Sequence, residues 1–225
     1  MKVKSLKLKN YRNYKDEIIN FSDGINILYG ENAQGKTNIL EALHLFSSSR
    51  SHRGVRDREL IMFDENESTL ELDFISQKRN QSSLLNLYSG KNKKLFINGI
   101  EQKYVKALLG IFTTVIFAPE DLNLIKEGPE GRRRFLDTDI SQIRPNYYRI
   151  LKEYKKINEL KLNLLKKEVP DDSLLEVYNE KLAQLGARLT IHRHRFVEEI
   201  STLTSAALKY ISKSREEIEI IYKPG

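Results

Sequence analysis

Hydrophobic patterning divides the chain into a strand-rich first half and a helix-rich second half. Alternation of apolar and polar positions predicts short strands at residues 3–9, 17–21, 25–29, 69–76, 83–89 and 94–98. Asn98-Gly99 follows the last of these strands and favours a tight hairpin turn. The strands 69–76, 83–89 and 94–98 are therefore expected to form an antiparallel meander, and the pattern changes to that of a helix from Thr37.

The second half has apolar residues at helical spacing, which predicts a helical lobe over residues 126–215. Residues 1–125 form the other predicted lobe and include a buried-type strand at 113–118. Residues 216–222 alternate like a strand that returns to the sheet. Because the chain ends directly after this strand, at 225, we expect the sequence to be a fragment of a longer protein.

A glycine-rich loop lies between the predicted strand 25–29 and the predicted helix. Its residues are Gly30, Glu31, Asn32, Ala33, Gln34, Gly35, Lys36 and Thr37. Glycines at both ends let backbone N–H groups approach a polyphosphate, and the helix N-terminus adds a positive field. Lys36 is expected to bind the β and γ phosphates, and the Thr37 hydroxyl to bind Mg²⁺. The motif predicts binding of ATP with magnesium.

Composition and charge narrow the class of protein. The chain has no cysteine, which excludes disulfides and thiolate metal sites, and no apolar run reaches the roughly 20 residues that span a bilayer. We therefore expect a soluble, cytoplasmic protein. Its net charge of +7 favours a polyanionic partner such as DNA or RNA.

A P-loop ATPase also needs an acid that follows a buried strand, to hold magnesium and activate water. The string Leu60-Ile61-Met62-Phe63-Asp64-Glu65 has the right residue types, but its polar flanks indicate a helix end that turns into a loop. Glu120 and Asp121 follow a better strand, and we favour a functional loop there, beside the nucleotide. The alternative at Glu120 and Asp121 is a loop that only leaves the sheet.

Basic residues are concentrated in the predicted helical lobe, with tyrosines between them. Lysine and arginine neutralise phosphates and tyrosine stacks on bases, which favours a DNA-facing surface, although a solvated helix face accounts for the pattern equally well. The candidate DNA-binding residues are Arg132, Arg133, Arg134, Arg149 and Lys152.

Several motifs together resemble the RecF family of bacterial recombination ATPases, which are related to the heads of SMC and Rad50 proteins. They are Leu8 to Tyr14, Gly30 to Ala42, Arg50 to Arg53, Phe117 to Leu122 and Gly131 to Asp137. The resemblance covers almost the whole chain. It implies an α/β P-loop fold, a mixed sheet of the ABC or SMC-head type, with an α-helical second lobe.

The resemblance also implies a function. Such a protein binds ATP, dimerises head to head around two nucleotides, binds gapped DNA or junctions of single and double strands, and works with RecO and RecR in loading RecA. By analogy with SMC heads, Arg53 or Arg56 is expected to reach the phosphates, and Arg12 and Asn13 to touch the nucleotide. Asn38, directly after the glycine loop, is also assigned to the nucleotide site. Because the family's signature and Walker B motifs are not found, we expect this chain alone to hydrolyse almost no ATP.

Two other interpretations share the same loop. A fragment of an SMC or Rad50-type head would need coiled coils of hundreds of residues, whereas the helical stretch here is under a hundred. A small-molecule kinase would keep its acid and lid within this length, and transfer of phosphate to a metabolite would favour it. A nucleotide-gated interaction module without catalysis is a third possibility.

Overall fold

The computed structural model describes residues 1–103, 105–118, 121, 123–126, 128–167, 169 and 171–224, with only the backbone at 105, 106, 123 and 125. The chain divides into two compact units, Met1–Leu122 and Asn123–Gly225. The predicted boundary between the lobes, at residue 125, lies close to this division.

A six-stranded antiparallel sheet forms the first unit, with strand order β2-β1-β3-β4-β5-β6. Its strands are β1 Lys2–Tyr11, β2 Tyr14–Asn20, β3 Glu67–Ser76, β4 Arg79–Tyr88, β5 Lys94–Ile97 and β6 Ile100–Glu101. One helix, α1, spans Lys36–Ser48, and 3₁₀ turns lie at Asp57–Leu60 and Val105–Leu108. The antiparallel meander predicted over residues 69–98 corresponds to β3, β4 and β5, with boundaries shifted by a few residues.

The core of this unit lies between one face of the sheet and α1. Alternate residues of β1 and β3 point inward, so Leu6, Leu8, Leu70 and Leu72 are fully buried. Helix α1 packs Ala42, Leu45 and Phe46 into the same cluster. Burial of each large apolar side chain contributes about 1.5–3 kcal/mol to the stability of the fold. This packing holds α1, and with it the N-terminus of the helix, against the sheet.

Three predicted strands are not formed, and this corrects the sequence prediction. Residues 25–29, 113–118 and 216–222 have no strand pairing among the described residues. Ile25, Ile27 and Tyr29 are 89%, 78% and 91% exposed. An alternating or apolar sequence pattern indicates that a segment suits a β-strand. The strand also needs a neighbouring strand that pairs with its backbone N–H and C=O groups, and the described part of the chain supplies none for these three segments.

The described residues of the second unit form four helices: α2 Asn123–Lys126, α3 Pro129–Ile143, α4 Pro145–Leu165 and α5 Asp172–Ser212. Proline at the first position of α3 and α4 suits a helix start, and the Asp171 side chain caps α5 by accepting from the Leu174 N–H at 3.0 Å. Tyr147, Ile150 and Leu185 pack in the core of these helices. Among the described residues, no helix has the length and apolar character needed to cross a membrane.

Candidate functional site

The glycine loop leads directly into α1 and has the backbone shape of a phosphate cradle. Gly30, Ala33 and Gly35 have φ angles of 142°, 66° and 96°, which turn the chain sharply and expose successive N–H groups. The Lys36 Nζ donates to the carbonyl oxygens of Gly30 at 2.8 Å and Glu31 at 2.6 Å. The Lys36 ammonium therefore lies at the mouth of the glycine loop, where it would contact a bound phosphate.

The turn between β1 and β2 supports the loop from behind. The Asn13 Nδ2 donates to the carbonyl oxygen of Gln34 at 3.1 Å, and its Oδ1 accepts from the Asn38 side chain at 2.9 Å. A Cβ atom at Gly35 would lie 2.6 Å from the Asn13 Oδ1 and 2.8 Å from the Tyr14 hydroxyl. Glycine at position 35 is favoured by its φ angle, and a larger residue there would also displace the ends of the Asn13 and Tyr14 side chains.

Arg12 is directed away from the loop, towards a buried carboxylate. Its Nε and Nη2 atoms donate to the two oxygens of Glu41, both at 3.0 Å, and its Nη1 donates to the Glu59 carbonyl at 2.9 Å. Of the two residues expected near the nucleotide, the structure brings Asn13 against the loop, whereas Arg12 supports it indirectly through α1.

A cavity of about 310 Å³ lies at the start of α1. It is lined by Asn32, Ala33, Gly35, Lys36, Thr37, Asn38 and Arg53. The Arg53 Nη1 donates to the Asn38 Oδ1 at 3.3 Å and lies 4.0 Å from a Glu41 oxygen. Of the two arginines suggested for phosphate contact, Arg53 lines this cavity and Arg56 is not among its lining residues.

Glu41 is the residue whose importance the sequence did not reveal. Its side chain is fully buried and accepts hydrogen bonds from Arg12 and from the Ser51 hydroxyl. Burial alone would raise the pKa of Glu41, but the hydrogen bonds from Arg12 and Ser51 and the nearby positive charges outweigh it and lower that pKa. The group is therefore a carboxylate at neutral pH.

Of the two acidic strings, the structure describes Asp64, Glu65 and Asp121. Asp64, with a φ of 64°, follows the exposed Phe63 in a turn, so the string 60–65 does not end a buried strand. The Asp121 Oδ2 accepts from the Ala118 N–H at 2.7 Å. Glu120 lies outside the described residues, and its predicted role remains a prediction.

A buried histidine, His44, lies on α1 about two turns after Lys36. The His44 Nδ1 is 3.1 Å from the Thr114 hydroxyl, and its ring makes an edge contact with His52. Burial, with repulsion from His52, lowers the pKa of His44 to about 4. His44 is therefore neutral at physiological pH and belongs to the structural core.

The residues present fit a magnesium ion that is held mainly by a nucleotide. Among the described residues, no group of three or more His, Asp or Glu side chains could hold a metal on its own. Thr37 lies in the first turn of α1 and lines the cavity beside Lys36. Magnesium at phosphate sites takes few protein oxygens and fills its octahedron with phosphate and water, which one threonine hydroxyl suits.

The candidate DNA-binding residues lie on two helices of the second unit. Arg132, Arg133 and Arg134 are exposed in the first two turns of α3, and the Arg132 Nη1 donates to the Leu124 carbonyl at 3.4 Å. Arg149 and Lys152 lie on α4, three residues apart and so on one helix face. The structure thus places two basic groups on this unit.

Comparison with known sequences agrees with the geometry. The family model described as an AAA ATPase domain matches residues 1–223. The chain is 40% identical to the DNA replication and repair protein RecF of Bacillus cereus (strain B4264), over 100% of this chain and 61% of that protein. It is 39% identical to the RecF of Bacillus thuringiensis (strain Al Hakam), with the same coverage. The chain therefore spans 61% of the length of these curated relatives.

Solved structures give the same result. The recombination mediator protein RecF–ATPrS of the RecFOR pathway superposes with a TM-score of 0.92 at 40% identity, covering 98% of this chain and 60% of that one. An SMC ATPase structure matches at a TM-score of 0.51 and 21% identity, covering 61% of this chain and 99% of that one, and so shows the fold alone. The predicted α/β fold of the P-loop ATPase and SMC-head type is confirmed.

Proposed function

The chain belongs to the AAA ATPase domain family, and all of its residues align with part of RecF. We therefore propose that it binds ATP with Mg²⁺ as part of an ATP-dependent DNA-binding protein of recombinational repair. The solved RecF structures are described as complexes with ATPrS and with ATP. Their likeness to this chain supports ATP as the nucleotide.

The observation that carries the proposal is the braced glycine loop at the start of α1. Its backbone N–H groups, the helix N-terminus and the Lys36 ammonium combine three sources of positive field at one cavity. We assign nucleotide contact to the loop residues and Asn38, and the magnesium contact to Thr37. Arg12 and Asn13 act by holding the loop in place.

For the whole protein we propose head-to-head dimerisation on ATP, binding to gapped DNA, and cooperation with RecO and RecR in loading RecA. The relatives are described as DNA replication and repair proteins and as a mediator of the RecFOR pathway, which supports this role. The exposed arginines of α3 and the Arg149–Lys152 face of α4 are the proposed DNA contacts.

Calorimetric titration of the purified chain with MgATP tests nucleotide binding. Lys36→Ala is expected to remove binding, because the loop then loses its only ammonium among the residues that line the cavity. Lys78→Ala, at an exposed site in the β3–β4 turn, is the matched control and should bind as the wild type does. Unchanged affinity in Lys36→Ala would refute ATP binding at this loop.

A further inference from the structure

Glu41 lies about one and a half turns along α1 from Lys36 and is the only fully buried acidic side chain among the described residues. A lone buried carboxylate is costly unless it is fully paired. Here both oxygens are used, and the groups that use them come from two segments outside α1. One segment is the end of β1, and the other is the stretch 49–60 that follows α1.

The contact with β1 fixes the orientation of the carboxylate. Arg12 binds both Glu41 oxygens in the two-pronged geometry that suits a guanidinium, and the Tyr11 hydroxyl lies 3.4 Å from one of them. Tyr11 is the last residue of β1, and Arg12 is the first residue of the turn that follows it. The carboxylate therefore cannot rotate without breaking two charge-assisted hydrogen bonds.

The contact with residues 49–60 reaches Arg53 by two routes. The Ser51 hydroxyl donates to Glu41, and the Ser51 Oγ accepts the backbone N–H of Arg53 at 3.1 Å. In addition, the Arg53 guanidinium lies 4.0 Å from a Glu41 oxygen. The buried carboxylate thus sets both the backbone and the side chain of Arg53.

The stretch that carries Arg53 is also held at both ends. The Lys93 Nζ donates to the Ser49 carbonyl at 2.7 Å and to the Asp57 carboxylate at 2.9 Å. The Arg12 Nη1 holds the Glu59 carbonyl. With its ends anchored, the position of Arg53 depends on the contacts at its middle, which are those made by Ser51, Glu41 and the Asn38 side chain.

We propose that Glu41 is a positioning residue that holds Arg53 ready to bind the terminal phosphate of a nucleoside triphosphate, so that the site prefers ATP to ADP. The inference rests on the proposed function. The backbone of a glycine loop cradles the inner phosphates, whereas Arg53 enters the same cavity from a separate segment, with a guanidinium that can bind a further phosphate.

Binding of MgATP and MgADP to the wild-type chain and to Glu41→Gln, Arg53→Gln and the double variant tests this inference. Loss of one charge-assisted contact to phosphate is expected to lower the ratio of ATP to ADP affinity about tenfold in either single variant. Because both substitutions act through Arg53, the double variant should lower the ratio no further.

Ser51→Ala provides a second test that leaves the charges in place. It removes the hydroxyl between Glu41 and the Arg53 backbone, so it should lower the same ratio by a smaller factor. It also serves if Glu41→Gln does not fold. Glu17→Gln, at an exposed position on β2, is the matched control and should leave the ratio unchanged.

Three results would overturn the inference. Equal losses of ATP and ADP affinity in Glu41→Gln would indicate a merely structural carboxylate. Additive losses in the double variant would separate Glu41 from Arg53. An unchanged ratio of ATP to ADP affinity in Arg53→Gln would show that Arg53 does not contact the terminal phosphate. ATP binding through Lys36 would not be affected by that result, because it is refuted only if Lys36→Ala still binds ATP.

Discussion

At the scale of the residue, Gly35 combines two constraints that can be separated by experiment. Alanine there must adopt a φ of 96° and must also displace the Asn13 side chain from its hydrogen bonds with Gln34 and Asn38. We expect Gly35→Ala to lower the free energy of unfolding by about 2 kcal/mol, of which about 1 is backbone strain and about 1 the lost hydrogen bonds.

Gly90→Ala is the control for the backbone contribution. Gly90 has a φ of 88°, and a Cβ atom added there would have no other atom within 4 Å, so only the strain of about 1 kcal/mol should be lost. Urea denaturation measures both variants. Equal losses in the two would show that the contact with Asn13 contributes nothing to stability.

His44 gives the fold a sensitivity to mild acid. Its pKa of about 4 in the folded state lies below its ordinary value of about 6.5, so the unfolded chain takes up the proton first as pH falls. The contribution of the neutral His44 to the free energy of unfolding is therefore constant above pH 6.5, and it is lost as pH falls from 6.5 to about 4. We expect a loss of about 2 kcal/mol between about pH 6.5 and 5, measured by urea denaturation.

His44→Gln should reduce the loss of stability between about pH 6.5 and 5, because the group that titrates in this range is removed. His194→Gln, at an exposed site on α5, should leave it intact. At lower pH the decline in stability has a second source, since the lowered pKa of Glu41 means that protonation of its carboxylate also costs stability. A decline between about pH 6.5 and 5 that persists in His44→Gln would contradict the assignment to His44.

The residues of the glycine loop could be predicted from sequence because their chemistry is local: glycines, lysine and threonine at fixed spacing. The network of Glu41, Arg12, Ser51 and Arg53 could not, because its members are brought together by the sheet and by the path of residues 49–60. Arg12 and Glu41 both lie within motifs noted in the sequence, yet nothing local shows that they pair.

At the scale of the element, periodicity predicted helices and meander strands more reliably than isolated strands. The antiparallel strands β3 and β4 are joined by a tight turn and supply each other's hydrogen bonds, so their pattern suffices to place them. Residues 25–29 alternate and residues 113–118 include an apolar run, but Ile25, Ile27, Val115 and Phe117 are exposed, which shows that neither pattern alone provides a pairing partner.

The helices α3, α4 and α5 are joined by a polar network around Asp137. The Asp137 carboxylate accepts from the Tyr147 hydroxyl and from the Arg193 Nη2, the latter at 2.7 Å. Burial, reinforced by Asp137, raises the pKa of Tyr147. Asp137→Asn leaves Arg193 without its charge partner, and we expect it to lower the free energy of unfolding by about 2–4 kcal/mol.

Urea denaturation followed by circular dichroism at the helical band measures this loss. Glu199→Gln is the matched control, because Glu199 on α5 also pairs an arginine, Arg144 between α3 and α4, but is 56% exposed. Surface pairs contribute about 0–1 kcal/mol, so its loss should be small. A loss in Asp137→Asn as small as in Glu199→Gln would show that the network does not hold the helices together.

At the scale of the whole molecule, the net charge of +7 is too small to identify a partner by itself. What matters is whether basic side chains are presented together, as on the faces of α3 and α4. Overall charge attracts any polyanion weakly, whereas a cluster that touches phosphates releases counterions and makes binding depend steeply on salt. The salt dependence of DNA binding therefore separates the two contributions.

The last prediction concerns this salt dependence. Replacing Arg133, Arg149 and Lys152 by glutamine is expected to weaken binding to gapped DNA and to lower the slope of log K against log salt by about 0.9 for each duplex phosphate contact that is lost. The control replaces Lys15, Lys78 and Lys91, exposed residues of the first unit, with the same change in net charge. It should leave the slope unchanged. Equal effects of the two triple variants, measured by fluorescence anisotropy across a salt series, would attribute DNA binding to net charge alone and remove α3 and α4 from the proposed interface.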